Sequence, residues 1–505
     1  MLDLWLTGFL SLLEPEVLLF LAIGMAIGLF VGVLPGLGGT TALALLTPVT
    51  FGLDPIAALA LAGGVMGGTP MGGAITAILL NTPGQTANAV TCLDGYPLAQ
   101  QGKAGLAIGA AASANALGGI IGTISVLAVL PIATQIVLLF GPPEFFLIAL
   151  LGLALVATTS RGKMLRALVA GGFGLMCASI GYHAVTGTER FTLGLEYLWD
   201  GIHLAPALVG LFAISEMIHL TIKGGTIAKV DDNMKIQGIG EGLWETFRQW
   251  PTVIRGSIIG TLVGATPGVG VTVASFLSYS MTVQASKDPE SFGKGNIQGV
   301  IATEAAINAK DGAALIPTLA FGLPGGAEMA VFLGLLVLHG MEPGPLMLLN
   351  NQVEIYSLIW ALTASCIIAS FIGLLLARPL AKLTYVDTQL LAPLIIVVSL
   401  VGSYAIDLAI ENVVLSMVFG VIGYFMIRFD YPRITLVIAL VLGDLAERNY
   451  QQSMLISDGN WSVFLTRTTS LVLVIGIIMS FVWPVISSAL RKRKAQRALA
   501  TGAKP

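Results

Sequence analysis

Four proline-glycine pairs, Pro35-Gly36, Pro83-Gly84, Pro267-Gly268 and Pro324-Gly325, each interrupt an otherwise apolar stretch. Proline lacks an N–H donor and glycine accepts a positive φ, so a helix entering such a pair stops and leaves backbone groups without partners. In hydrocarbon each orphan costs several kcal/mol, unless it lines a cavity or holds a solute. Half-helix N-termini then face anions and freed carbonyls hold a cation. The neighbours suit this chemistry. Asn81, Thr82, Gln85, Thr86 and Asn88 surround the second pair without any fixed charge. Gly38, Thr40 and Thr41 follow the first pair, Thr266, Gly270 and Thr272 flank the third, and Gly326 follows the fourth. Amide and hydroxyl donors solvate carboxylate oxygens. The same hydroxyls and carbonyls coordinate Na+, so residue type leaves anion and cation both open. A single pair would read as a plain kink, and membrane threonines often merely pack. Four pairs in two matched sets favour a substrate-binding site.

Ionisable groups enter in the second half. Glu304, Asn308, Lys310, Asp311 and Glu328 fall in or beside apolar sequence. Glu304 and Asn308, four apart, share a helical face, and Glu328 lies four residues after Pro324. An ionisable group at membrane depth implies a proton relay or a coupling-ion site, which makes Glu304, Asn308 and Glu328 the ion-coupling candidates. For Lys310 and Asp311 a loop or interfacial position reads equally well. His339 reads as packed or interfacial, and Asp407 with Glu411 as a helix entrance. Cys92, Cys177 and Cys366 match no metal spacing, and no cofactor is expected beyond a coupling cation, H+ or Na+.

The elements that must hold these residues are helices in a bilayer. Of 505 residues 55% are apolar and 10% charged, with mean hydropathy +0.88; a soluble domain carries about 25% charge. With roughly 20 residues per crossing, about 10 to 14 membrane segments fit, broken or re-entrant ones included. A soluble enzyme, a disordered chain and a nucleic-acid binder are excluded. The expected fold is an all-α polytopic membrane protein. Val17 to Leu34 has spanning length, Thr40 to Val65 is interrupted, and Ala74 to Leu80 is too short to cross and reads as a re-entrant or broken helix. Residues 104–128 and 132–157 read as separate spans.

The sequence repeats. Residues 24–40, GMAIGLFVGVLPGLGGT, align with 256–272, GSIIGTLVGATPGVGVT, at a constant offset of 232. In each copy a Gly-x-x-x-Gly run, Gly24/Gly28/Gly32 or Gly256/Gly260/Gly264, leads into the break and lets helices approach closely. The expected organisation is a first half (1–222), a polar connector (223–249), a second half (250–490) and a basic tail (491–505). No Lys or Arg precedes Lys103, whereas Arg248 and Arg255 introduce the second copy; opposite flanking charge implies inverted repeats. The same rule puts Arg161/Lys163/Arg166, the Lys223–Arg255 region and the tail in the cytoplasm. The acid-flanked N-terminus, which lacks a signal peptide's basic region, then lies in the periplasm.

Long motifs carry a resemblance. PGLGGTTALALLTPVTFGLDP, GGTPMGGAITAILLNTPGQTANAVTCLDGYPLAQQGKAG, ASFLSYSMTVQASKDPESFGKGNIQGVIATEAAINAKDGAALIPTLAFGLPGG, HGMEPGPL and LVLGDLAERNYQQSM resemble the large membrane subunit of tripartite tricarboxylate transporters, the TctA family, over roughly residues 15–490. The resemblance implies a multi-pass permease of the bacterial inner membrane. A small four-span membrane subunit accompanies it, and a periplasmic solute-binding protein delivers citrate or another carboxylate, taken up on an ion gradient without ATP. It also implies a substrate site around the four Pro-Gly pairs. Two positions depart from the family pattern: Ile307-Asn308 stands for paired asparagines, and Gly326 for a frequent serine. The rival is a stand-alone carboxylate symporter or antiporter. An intramembrane enzyme is disfavoured, because no nucleophile–base pair, HExxH motif or acidic metal cluster is expected at membrane depth.

Overall fold

The computed structural model describes residues 2–34, 36–137, 139–159, 163–183, 187–223, 236–382 and 388–482. Pro35, Arg161, connector residues 224–235 and the tail 491–505 lie outside them. The first helices are α1 (Leu2–Leu12), α2 (Pro15–Val33), α3 (Gly38–Leu46), α4 (Pro55–Leu80), α5 (Thr91–Gln100) and α6 (Ala104–Val137). Then come α7 (Pro142–Thr159), α8 (Met164–Ala178), α9 (Leu204–Leu208) and α10 (Ser215–Lys223), the last two joined through a π-turn over Val209–Ile214. The second half holds α11 (Ile239–Arg248), α12 (Trp250–Gly264), α13 (Val271–Ala285), α14 (Ile297–Phe321), α15 (Ala327–Leu338), α16 (Pro345–Asn350) and α17 (Gln352–Lys382). Next are α18 (Thr388–Asp407), α19 (Ile410–Arg428), α20 (Arg433–Ile456) and α21 (Val463–Thr466). Among the described residues the only strands are the two-residue pair Gly181–Tyr182 and Glu189–Arg190. Among the described residues six helices are long and apolar enough to cross a bilayer, and five shorter apolar helices accompany them. The protein is an all-α polytopic membrane protein.

Two compact units form, one from Met1–Val137 with His203–Phe429, the other from Leu138–Ile202 with Asp430–Pro505. Each therefore draws on both halves of the chain. In the smaller unit α20 packs on α7 and α8. Glu144, fully buried at the start of α7, accepts from Gly141 N (2.9 Å), Thr469 (2.7 Å) and Ser470 (2.6 Å) and pairs with Arg467 (3.2 Å). Arg190 grips Glu447 with two nitrogens, at 2.6 and 2.9 Å, the bidentate geometry that strengthens such pairs. Lys163 and Arg166 both pair with Asp430.

The larger unit is built around α4 and α14. Helix α4 begins on Asp54, whose side chain accepts from Ile56 N at 2.9 Å, with Pro55 in the first turn. It ends where Asn81 turns left-handed (φ 53°). Helix α14 repeats the design: Asn296 accepts from Gln298 N at 2.9 Å, and Gly322 (φ 66°) closes the end. Helix α2 lays Gly24, Gly28 and Gly32 on the carbonyls of Leu61, Val65 and Thr69. Helix α12 lays Gly256, Gly260 and Gly264 on those of Ala302, Ala306 and Lys310. A Cβ on any of the six would sit 2.6 Å or closer to a carbonyl oxygen, so backbone touches backbone. The third long helices cross over. Helix α6, from the first half, sets Gly118 and Gly122 on Ala305 and Ala309 of α14. Helix α17, from the second half, covers Gly63 and Gly67 of α4, and its Ser365 donates to Gly63 O at 2.7 Å.

Three sequence expectations change. Ala74–Leu80 is neither a re-entrant nor a broken piece but the end of α4, which continues through Pro70; neighbouring helices bury this stretch almost completely and let it keep an interior proline. Residues 104–137 form one helix through Pro131, so the break falls near Gly141. Lys310 and Asp311 are neither loop nor interface: they sit mid-helix in α14, 1% and 3% exposed.

Candidate functional site

Breaks from both halves meet within the larger unit. Gly36 N donates to Gly84 O at 3.2 Å. In the second half Gly268 N donates to Pro324 O and Gly270 N to Gly325 O, both at 3.2 Å. Gly36, Gly38, Gly268 and Gly270 all have positive φ, from 54° to 89°, as sharp exits from a helix require. Two contacts then join the halves. Thr86 and Thr272 share a hydroxyl–hydroxyl bond of 3.0 Å, and the Glu328 carboxylate lies against Gly39 in the first turn of α3. Gln85 lies beside Gly38. Its Nε2 is buried and has no acceptor, a donor set beside a helix N-terminus, where anions are favoured.

Below the breaks lies a buried carboxylate. Glu304 is 0% exposed and draws its partners from the first half. Asn88 Nδ2 donates to its Oε1 at 3.0 Å, and the Thr91 hydroxyl donates to the same oxygen. The Asn115 amide, turned to match its surroundings, donates to Oε2 at 3.0 Å. In the other orientation of Asn115 its oxygen instead accepts from Asn308 Nδ2, which also donates to the Glu304 carbonyl at 3.2 Å, while Cys366 Sγ donates to Asn308 Oδ1 at 3.4 Å.

A second charged group stands closer to the breaks. Lys310 Nζ pairs with Asp311 Oδ1 at 2.9 Å, both side chains almost wholly buried. The ammonium also approaches Gly326 at the start of α15. Glu328 Oε1 is shut from solvent and has no hydrogen-bond partner. The region is thus rich in oxygen atoms and in charged groups.

The expected residues divide by what their side chains do. Gly36, Gly38, Pro83, Gly84, Gln85, Pro267, Gly268, Gly270, Pro324, Gly325 and Gly326 form the break cluster, and Thr40 and Thr41 belong to the start of α3. Asn81 instead caps α4 with an exposed side chain, and Thr82 bonds Leu80 O at 3.1 Å. Thr266 is exposed and spends its hydroxyl on Leu262 O at 2.8 Å. Glu304 and Asn308 share one network, whereas Glu328 stands with Lys310 and Asp311.

Sequence reasoning missed Thr91, Asn115 and Asp94. Asp94 is fully buried and accepts from Tyr279 OH (2.8 Å), Gly295 N (2.9 Å) and Asn296 N (2.8 Å), pinning α5 to the loop ahead of α14. An acid in the apolar segment Thr91–Gln100 was the available signal; its partners, some 200 residues away, gave none.

Comparison with known proteins agrees with this architecture. Residues 18–438 match the tripartite tricarboxylate transporter TctA family. An uncharacterised 52.8 kDa protein of Agrobacterium vitis, from the TAR-I ttuC' 3' region, is 35% identical over 470 residues, covering 91% of each chain. A second uncharacterised protein of that organism, from the TAR-II ttuC' 3' region, is 34% identical over 212 residues, 41% of this chain and 86% of its own. No solved structure matches. With repeated Pro-Gly breaks gathered in one helical unit and a match spanning most of its length, the chain belongs to the tripartite tricarboxylate transporter TctA family.

Proposed function

We propose that this chain is the large permease subunit of a secondary active transporter that depends on a binding protein and imports tricarboxylates or related carboxylates on a cation gradient. One observation carries the reading: Gln85 Nε2, a buried donor without an acceptor, stands at the break cluster beside the N-terminal turn of α3. A substrate carboxylate is the acceptor such a donor requires. The breaks supply further N–H groups, and the charged cluster at Glu328 faces the same region. The halves are inverted repeats in the inner membrane, with the N-terminus periplasmic and the C-terminus cytoplasmic. The base-free first copy and the basic approach to the second support that orientation. A periplasmic binding protein hands over the substrate, and a small four-span subunit completes the membrane complex.

The test is uptake of labelled citrate and other carboxylates into proteoliposomes holding the permease and its small subunit. The binding protein is added or withheld, under an imposed Na+ or H+ gradient. Uptake is expected only with all three proteins and a gradient. Uptake without the binding protein would mark a stand-alone carrier instead. Gln85→Ala should lower uptake about tenfold, the loss of one good hydrogen bond to a charged group, while inserting normally. Full uptake by that variant would remove the site assignment.

A further inference from the structure

We infer that Glu304, together with Asn88, Thr91, Asn115 and Asn308, forms a binding site for one monovalent cation, Na+, that moves with the substrate. The coupling role rests on the importer reading above; the site itself rests on its own residues. All five are buried, none more than 1% exposed. Among the described residues no ion pair reaches Glu304, and Lys310, the one base on α14, spends its ammonium on Asp311. Neutral donors ease a buried carboxylate but do not neutralise it, and an uncompensated buried charge is strongly unfavourable.

The amides show where the missing charge belongs. Asn88 turns its nitrogen to Glu304 and its Oδ1 toward Gly73 of α4, where that oxygen is buried and has no donor to hold it. Asn115 has two competing uses: in one orientation its oxygen accepts from Asn308, and in the other its nitrogen donates to Glu304 Oε2. An amide turned over exchanges a donor for an oxygen ligand. With Asn88 and Asn115 both turned oxygen-inward, a cation meets the Glu304 carboxylate, the Thr91 hydroxyl and amide oxygens, the ligand set that hard cations take.

Position supplies the coupling. Asn88, Thr91 and Asn115 come from the first half, Glu304 and Asn308 from the second, so a bound ion clamps the two together. Asn88 also shares one short turn, Thr86–Ala89, with the Thr86 hydroxyl that bonds Thr272 at the breaks. Filling the ion site would therefore set the turn that borders the carboxylate site.

The test is equilibrium binding of radioactive Na+ to the full-length permease in nanodiscs without any carboxylate. Saturable binding is expected, competed by unlabelled Na+ and not by choline. Glu304→Gln should weaken it by about tenfold or more, a loss of at least about 1.4 kcal/mol. Thr91→Val should weaken it and Thr91→Ser retain it. Na+ should raise the melting temperature of the wild type and of Thr91→Ser but leave that of Glu304→Gln unmoved, which separates lost binding from lost folding. Absence of Na+ binding by the wild type, or wild-type binding by Glu304→Gln, overturns the proposal. Carboxylate uptake driven by protons alone, without Na+ binding, sinks the ion site and leaves the importer reading standing. Na+ binding without carboxylate uptake does the reverse.

Discussion

The two halves share a backbone plan and divide the chemistry. Around α4 the groups near the break are neutral: Asn81, Thr82, Gln85, Thr86 and Asn88. Around α14 and α15 they are charged: Glu304, Lys310, Asp311 and Glu328. Yet the glycine rows and the left-handed C-caps correspond position by position, and the N-caps to within one residue. A duplicated scaffold can thus keep its close-packed frame while one copy offers donors and the other offers charge. The halves also differ in tightness. Gly64, Gly68 and Gly72 of α4 return the close approach of α2, each meeting an α2 carbonyl within 2.8 Å of an added Cβ, whereas Ala305, Ala309 and Ala313 hold the corresponding places on α14.

The contrast can be broken most severely at the charges. Lys310→Met strands Asp311 in a dry helix and should cost about 3–5 kcal/mol, seen as a lower melting temperature in detergent. Adding Asp311→Leu should recover most of that stability. If the single variant melts like the wild type, the charged half is not held by this pair. Next comes tightness. Gly84→Ala drives a methyl into the Gly32 carbonyl, whereas Gly325→Ala meets the Ala314 methyl at 2.8 Å and the Gly264 carbonyl at 3.1 Å. The first should cost about 3 kcal/mol and the second about 1 kcal/mol, within the usual range for overpacking. Equal losses would deny the asymmetry. A smaller effect compares the caps: Asn81→Gly should match the wild type in melting and uptake, while Asn81→Ala should lose about 1 kcal/mol to left-handed strain. An uptake defect in Asn81→Gly would instead make the side chain a ligand. Thr266→Val should change least, with uptake within about twofold, because its hydroxyl already serves Leu262 and the net worth of such a bond is about 1 kcal/mol.

What the sequence made legible follows from how local each signal is. Pro83-Gly84 and Pro324-Gly325, just past the helix ends at Asn81 and Gly322, cannot continue a helix by their own covalent chemistry, so the breaks and their repeat could be read residue by residue. Lys310-Asp311 could not, because adjacent opposite charges look the same in a loop and in a core. The small residues around them, Ala305, Ala306, Ala309, Gly312, Ala313 and Ala314, were the available clue that other helices press in from all sides. The short reading of Ala74–Leu80 and the split between 128 and 132 fell in helices that run on through Pro70 and Pro131, because hydropathy along the chain does not tell which interior prolines a helix keeps. The crossing of α6 and α17 and the anchoring of Asp94 depend on contacts between distant segments, which no window of sequence contains.

That crossing has a consequence for how the protein is made. Helix α4 is emitted early, yet the α17 residues that cover Gly63 and Gly67 leave the ribosome about 300 residues later, roughly 15–60 s at ordinary synthesis rates. Through that interval the groove on α4 stands open to lipid or to whatever helix the insertion machinery holds beside it. The first half therefore finishes folding only when the second arrives, and truncation anywhere before α17 should yield a chain that enters the membrane but is cleared by quality-control proteases.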